Sequence, residues 1–158
     1  MLGRTVCLLL SFCFAIAAQE DSPAAAAARD RALLEREPVN AVVMNHLAML
    51  LADSGGDLEM ALPLAQRARQ LRPEVDEFAG TVGWIYLKLN RPVAAIEVFR
   101  GLVDRKPANA RYRYRFGMAL VQAGDDTAGA EQLERALQLV PPREDVRKIL
   151  ELLARLRH

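Results

Sequence analysis

The chain has 158 residues, 52% of them hydrophobic and 26% charged, which suits one domain with its own core and a solvated surface. A formal net charge of +1 lacks the basic excess that general nucleic-acid binding shows, so no nucleic-acid partner is expected. Aromatic residues make up only 6%, as in proteins where alanine and leucine carry the helix packing.

Residues 1–18 have the three-part layout of a secretory signal peptide. Arg4 supplies the positive start, Val6 to Ala18 is a short apolar run, and Ala15-Ile16-Ala17 is a small-x-small site ahead of polar Gln19-Glu20-Asp21. The run is shorter than the roughly 20 residues of a comfortable membrane span. Cleavage near Ala18 or Gln19 is therefore expected, with periplasmic or secreted localisation. The alternative is a membrane anchor formed by residues 5–18, the one membrane contact considered. A lipid-attachment box fits less well, because Phe12 precedes Cys13 where a small residue is usual. The cysteines, Cys7 and Cys13, both lie in this segment, so the mature chain would hold neither a disulfide nor a cysteine metal site. Loss of Arg4 would leave 20 basic residues against 20 acidic ones.

Residues 19–37 read as a linker and an N-terminal capping helix. Ser22-Pro23 can start a helix, with Pro at its first position, and the alanine-rich stretch Ala24–Arg36 has the highest intrinsic helix propensity. Beyond it the chain is periodic. Pro38, Pro73, Pro107 and Pro141 stand 35, 34 and 34 residues apart. Between them Leu47-Ala48, Val82-Gly83 and Phe116-Gly117 correspond, followed by Leu51, Tyr86 and Leu120. Small residues recur at Ala61, Ala95 and Gly129, then Ala65, Phe99 and Leu133, then Ala68, Leu102 and Ala136. Small residues let two antiparallel helices approach, large ones fill the space around them, and each proline stops a second helix. Helices are expected near 40–53, 57–72, 75–89, 92–105, 109–123 and 126–139. In 142–158, Val146, Ile149, Leu150, Leu153 and Leu156 fall at helical spacing opposite Glu144, Lys148, Glu151 and Arg155, as in a terminal cap.

A fixed period of 34 residues with helix–turn–helix patterning resembles the tetratricopeptide repeat (TPR) family, here an exported bacterial member. The resemblance spans residues 38–141. It implies an all-α fold: a right-handed α-solenoid of about three helix pairs, with an N-terminal half-repeat and a C-terminal capping helix. One departure is the bulky residue usual at the fourth position of each unit, which is Met44, Ala79 and Arg113 here.

No enzyme signature emerges, and no cofactor or metal is expected. Ser54-Gly55-Gly56-Asp57 lacks the Gly-Lys-Ser/Thr ending of a phosphate-binding loop. His46 and His158 are far apart and without cysteine partners. Glu35/Glu37 and Asp125/Asp126 suit helix ends better than acid–base work. The resemblance implies instead a concave groove lined by the first helix of each repeat. Carried over residue by residue, that groove shows Asn45, Met49 and Ala52, then Glu77, Trp84, Leu87 and Lys88, then Arg111, Tyr114, Arg115, Met118, Val121 and Gln122. Trp84 and Tyr114 are anchors of the kind enriched in hot spots, and Met49 and Met118 are adaptable apolar contacts.

Arg111, Tyr114 and Arg115 share one helix face and make a carboxylate receptor. This resembles half of the clamp by which some members of the family hold chaperone C-termini. Asn45, Met49 and Thr81 do not complete that clamp, so a chaperone tail is not expected. The expected partner is a protein or peptide with an anionic group, held by a non-enzymatic scaffold or adaptor in a periplasmic or envelope assembly. The alternatives are a self-associating structural module and an accessory subunit of an envelope enzyme or secretion system. The oligomeric state stays open.

Overall fold

The computed structural model describes residues 22–157; the segment read as a signal peptide lies outside them, as does His158. Eight α-helices and no strand occur among the described residues. They are α1 (Pro23–Arg36), α2 (Ala41–Asp53), α3 (Leu58–Leu71), α4 (Asp76–Lys88), α5 (Pro92–Arg105), α6 (Ala110–Gln122), α7 (Asp126–Gln138) and α8 (Arg143–Leu156). None is long and apolar enough to cross a membrane.

Local chemistry explains where the helices start. Side-chain oxygens of Ser22, Asn40, Asp57, Asn109 and Asp125 accept hydrogen bonds from backbone amides three residues on, at the starts of α1, α2, α3, α6 and α7. Each satisfies an amide that the first helical turn leaves unpaired. Pro23 and Pro92 occupy the first turns of α1 and α5, where no amide is needed. The turns after α4 and α6 reverse through left-handed residues, Asn90 at φ 55° and Gly124 at φ 89°. The turn after α7 does so at Val140, with φ 53°, an outlier for a β-branched side chain.

Every helix packs on the next in the chain, and the pairs α2/α3, α4/α5 and α6/α7 stack in order. The first helices also meet one another, α2 with α4, α4 with α6 and α6 with α8, so that one face of the stack is built from them. The result is an all-α solenoid. Its interior follows the recurrent columns: Ala48, Ala61, Ala65, Ala95, Phe99, Leu102, Leu133 and Ala136 are fully buried. Glycine matters most where backbones approach. A Cβ on Gly83 would lie 2.8 Å from the Phe99 ring, and one on Gly117 would lie 2.8 Å from Leu133 and 3.0 Å from the Gly129 carbonyl. Arg113, the departure from the bulky fourth position, is held by its Nε donating to the Pro107 carbonyl at 2.7 Å and its Nη1 donating to Gln132 Oε1 at 2.9 Å.

The ends differ. At the N-terminal end α1 buries Ala27 and packs on α2, with Leu34 against the core. At the other end α8 lays Ile149 and Leu153 on Leu133, Ala136 and Tyr114, and faces solvent with Glu144, Arg147, Lys148, Glu151 and Arg155.

Candidate peptide-binding groove

The face built from the first helices carries two adjoining concavities. The first, about 520 Å³, runs from Asn45 and Met49 on α2 past Glu77 and Thr81 on α4 to Arg111 and Arg115 on α6. The second, about 560 Å³, lies between Trp84 and Lys88 on α4, Tyr114 and Met118 on α6, and the start of α8. Arg111 and Arg115 border both. This follows from helical spacing, since residues three and four apart share a face and α6 contributes to the wall of both concavities.

Trp84 is the hub of the second concavity. Its Nε1 donates to Asp53 Oδ1 at 2.8 Å, across one repeat. Lys88 Nζ stands 4.8 Å and Arg115 Cζ 4.7 Å from the ring centroid, both within cation–π range. Burial lowers the pKa of Arg115, and the neighbouring Arg111 charge adds to the effect; an arginine stays charged regardless. Burial raises the phenol of Tyr114, with the Asp145 carboxylate adding to it. Burial likewise raises Tyr112, helped by Glu77.

Arg111 stays half exposed, with its Nε 3.7 Å from Asp145 Oδ2. Asp145, in the first turn of α8, is 6% exposed. Two buried polar atoms here have no hydrogen-bond partner, Asn45 Oδ1 and Asp145 Oδ2.

Asn45, Met49, Glu77, Trp84, Lys88, Arg111, Tyr114, Arg115 and Met118 all border this groove. Gln122 does not: its Nε2 donates to Asn90 Oδ1 at 2.8 Å and to the Leu87 carbonyl at 3.3 Å, bracing α6 against the end of α4. Ala52 and Leu87 are buried between helices rather than lining the surface, and Val121 packs in the cluster beneath α8. Tyr114 shows only an edge, being 7% exposed, because α8 covers its ring. Sequence reasoning missed the acidic members, Asp53, Glu144 and Asp145. A signal existed for the first, since a half-buried indole needs an acceptor for its N–H. Another existed for Asp145, because a carboxylate in a first helical turn is favoured by the helix dipole. Elsewhere, His46 Nδ1 sits 2.6 Å from Asp30 Oδ2 in a surface pair. No group of three or more His, Cys, Asp or Glu capable of holding a metal occurs among the described residues.

Stacked helix pairs whose first helices wall a groove define a helical-repeat solenoid. Residues 82–144 match the family described as tetratricopeptide repeat. Among solved structures it is similar to "MamA 41-end" from Desulfovibrio magneticus RS-1, at 20% identity and a TM-score of 0.69 over 94% of this chain and 92% of that one. It is also similar to the N-terminal domain of stress-induced protein-1 (STI-1) from C. elegans, at 20% identity and a TM-score of 0.56 over 71% of this chain and 93% of that one. These likenesses show the fold. No curated protein matches the chain by sequence.

Proposed function

We propose that this chain is a non-enzymatic scaffold or adaptor that binds an extended peptide or protein segment in its concave groove, within an extracytoplasmic assembly. One observation carries the binding reading: a half-exposed guanidinium, Arg111, borders the same open groove as the indole of Trp84 and the thioether of Met118. Guanidinium suits an anionic group, and indole and thioether suit an apolar one. The ligand class is therefore an apolar segment bearing a carboxylate. The layout of residues 1–18 supports export, and N-terminal sequencing of protein from its native host tests that part. A start near Ala18 or Gln19 is expected, and an intact Met1 would sink it.

Self-association through the last helix is less well supported, because the outer face of α8 is charged apart from Leu150. The test of the binding reading is a titration with a fluorescein-labelled Gly-Ser-Met-Leu peptide bearing a free C-terminal carboxylate, at two ionic strengths. Affinity should fall at the higher salt, since an exposed ion pair is screened over about 8–10 Å at physiological strength. Arg111→Ala with Arg115→Ala should weaken binding by about tenfold, in line with a charge-assisted hydrogen bond of about 1.5 kcal/mol or more. Equal affinity for the wild type and the double variant would overturn the groove assignment.

A further inference from the structure

Asp145 is an unusual residue for a terminal helix. The solvent face of α8 is charged, yet this one carboxylate turns inward and is 6% exposed. A buried carboxylate is costly unless hydrogen bonds and an opposite charge compensate it. Here the compensation is incomplete. Arg111 Nε is 3.7 Å away, beyond hydrogen-bonding distance, and Asp145 Oδ2 accepts no hydrogen bond.

The same protein shows what a finished pair looks like. Arg105 donates to Asp76 Oδ1 from Nε at 3.0 Å and from Nη2 at 2.8 Å, and Lys106 Nζ adds a contact to Oδ2 at 3.2 Å. The Asp145 pair has the charges of that arrangement without its bonds. It stands at the border of the groove, 3.7 Å from Arg111 and in the same concavity as Arg115, and the Arg111 side chain is 51% exposed. Its helix packs on α7 and α6 through Ile149 and Leu153.

We propose that Asp145 is an internal carboxylate that holds the place of a ligand carboxylate on Arg111 and Arg115, so that α8 competes with the peptide for this end of the groove. The proposal rests on the peptide-binding reading above and adds a specific competitor to it. A ligand whose carboxylate forks onto Arg111 makes the short bonds that Asp145 does not. The first turn of α8 then yields, while Ile149 and Leu153 keep the rest of the helix docked. Asp145 would thus set affinity without touching the ligand.

The experiment compares wild type, Asp145→Asn and the double variant Arg111→Ala/Arg115→Ala. Each is titrated with the labelled Gly-Ser-Met-Leu peptide as free acid and as C-terminal amide. Asp145→Ser replaces Asp145→Asn if circular dichroism shows that variant unfolded. Removing a competitor that occupies the receptor most of the time should tighten free-acid binding at least about twofold, with no gain for the amide. In wild type the free acid should also speed hydrogen exchange in the first turn of α8. If wild type and Asp145→Asn bind the free acid alike while the arginine variant loses it, the groove reading stands and the competitor is refuted. An equal gain for acid and amide refutes it too, since the gain is then not carboxylate-specific. Absence of free-acid binding in every protein overturns the groove reading and this inference together.

Discussion

Helix α6 has two working sides, and they obey different physics. Toward α7 it presents Gly117 and Val121, where backbone and side chains close to van der Waals distance around Gly117 and Gly129. Toward the groove and α8 it presents Arg111, Tyr114 and Arg115, where a carboxylate is buried without a hydrogen bond at one of its oxygens. The first side is determined by size and tolerates no extra atom. The second is determined by charge and is incompletely satisfied. Dry close packing fixes how repeats pair, and the imperfectly bonded side is the one left to bind something.

The comparison can be broken most severely by removing what covers the second side. Deleting Arg143–His158 exposes Tyr114, Leu133 and Ala136 and loses the burial of Ile149 and Leu153. Two such side chains are worth about 3–6 kcal/mol, and a terminal repeat without a polar outer face is prone to associate. The truncated protein should melt earlier or aggregate. Unchanged melting of a monomer would show that α8 is a tail rather than a cap.

Next in size is an assault on the first side. Gly117→Leu drives a side chain into Leu133 and the Gly129 carbonyl. Overpacking of this kind costs about 1–3 kcal/mol, and the obstacle here includes backbone, which cannot step aside as a side chain can. The midpoint of denaturant unfolding should fall accordingly. A midpoint equal to wild type would refute the close approach of α6 and α7.

How much of this was legible beforehand divides along the same line. The close-packed side was written in the sequence, because small–large columns at Ala61, Ala95 and Gly129 and prolines every 34 or 35 residues are local, repeated signals. The helix starts were legible too, since Asn40, Asp57, Asn109 and Asp125 act on amides only three residues away. Contacts between repeats were harder to foresee. Trp84 meets Asp53 at a separation of 31 residues, and Gln122 meets Asn90 at 32, so one-residue changes in turn length decide whether they touch. Ala52 and Leu87 lie at the border between the groove face and the paired face, where a small rotation of the helix moves a residue from one to the other. The inward turn of Asp145 depends on how α8 leaves the strained turn at Val140, and valine does not announce a left-handed turn. Of the acidic lining only Glu77 was expected, and the two signals that pointed to Asp53 and Asp145 did not say that either residue would reach the groove.

The smallest effect expected sharpens the contrast between a bonded and a loosely held carboxylate. Burial pushes the Asp76 carboxyl up, but the hydrogen bonds and charges of Arg105 and Lys106 together outweigh it and hold the pKa below its usual value. A carboxylate with a depressed folded pKa contributes stability that is present above its unfolded pKa and lost as pH falls through the folded one. Lys106 has the opposite sign: the hydrogen bond it donates to Asp76 raises its pKa, so its contribution is present below the ordinary lysine range and lost only as pH rises through the raised value. Both contributions are intact at neutral pH. Comparing the unfolding midpoints of wild type and Asp76→Asn should therefore show a wild-type advantage near neutrality that shrinks below about pH 4, where the unfolded aspartate gains its proton first. The advantage should be modest and weaker in high salt, because Arg105 and Lys106 are about half exposed. A difference that holds constant from neutral pH into strong acid would show that the carboxyl contributes by shape rather than charge, and Asp76 would then no longer serve as the reference against which the Asp145 pair is loose.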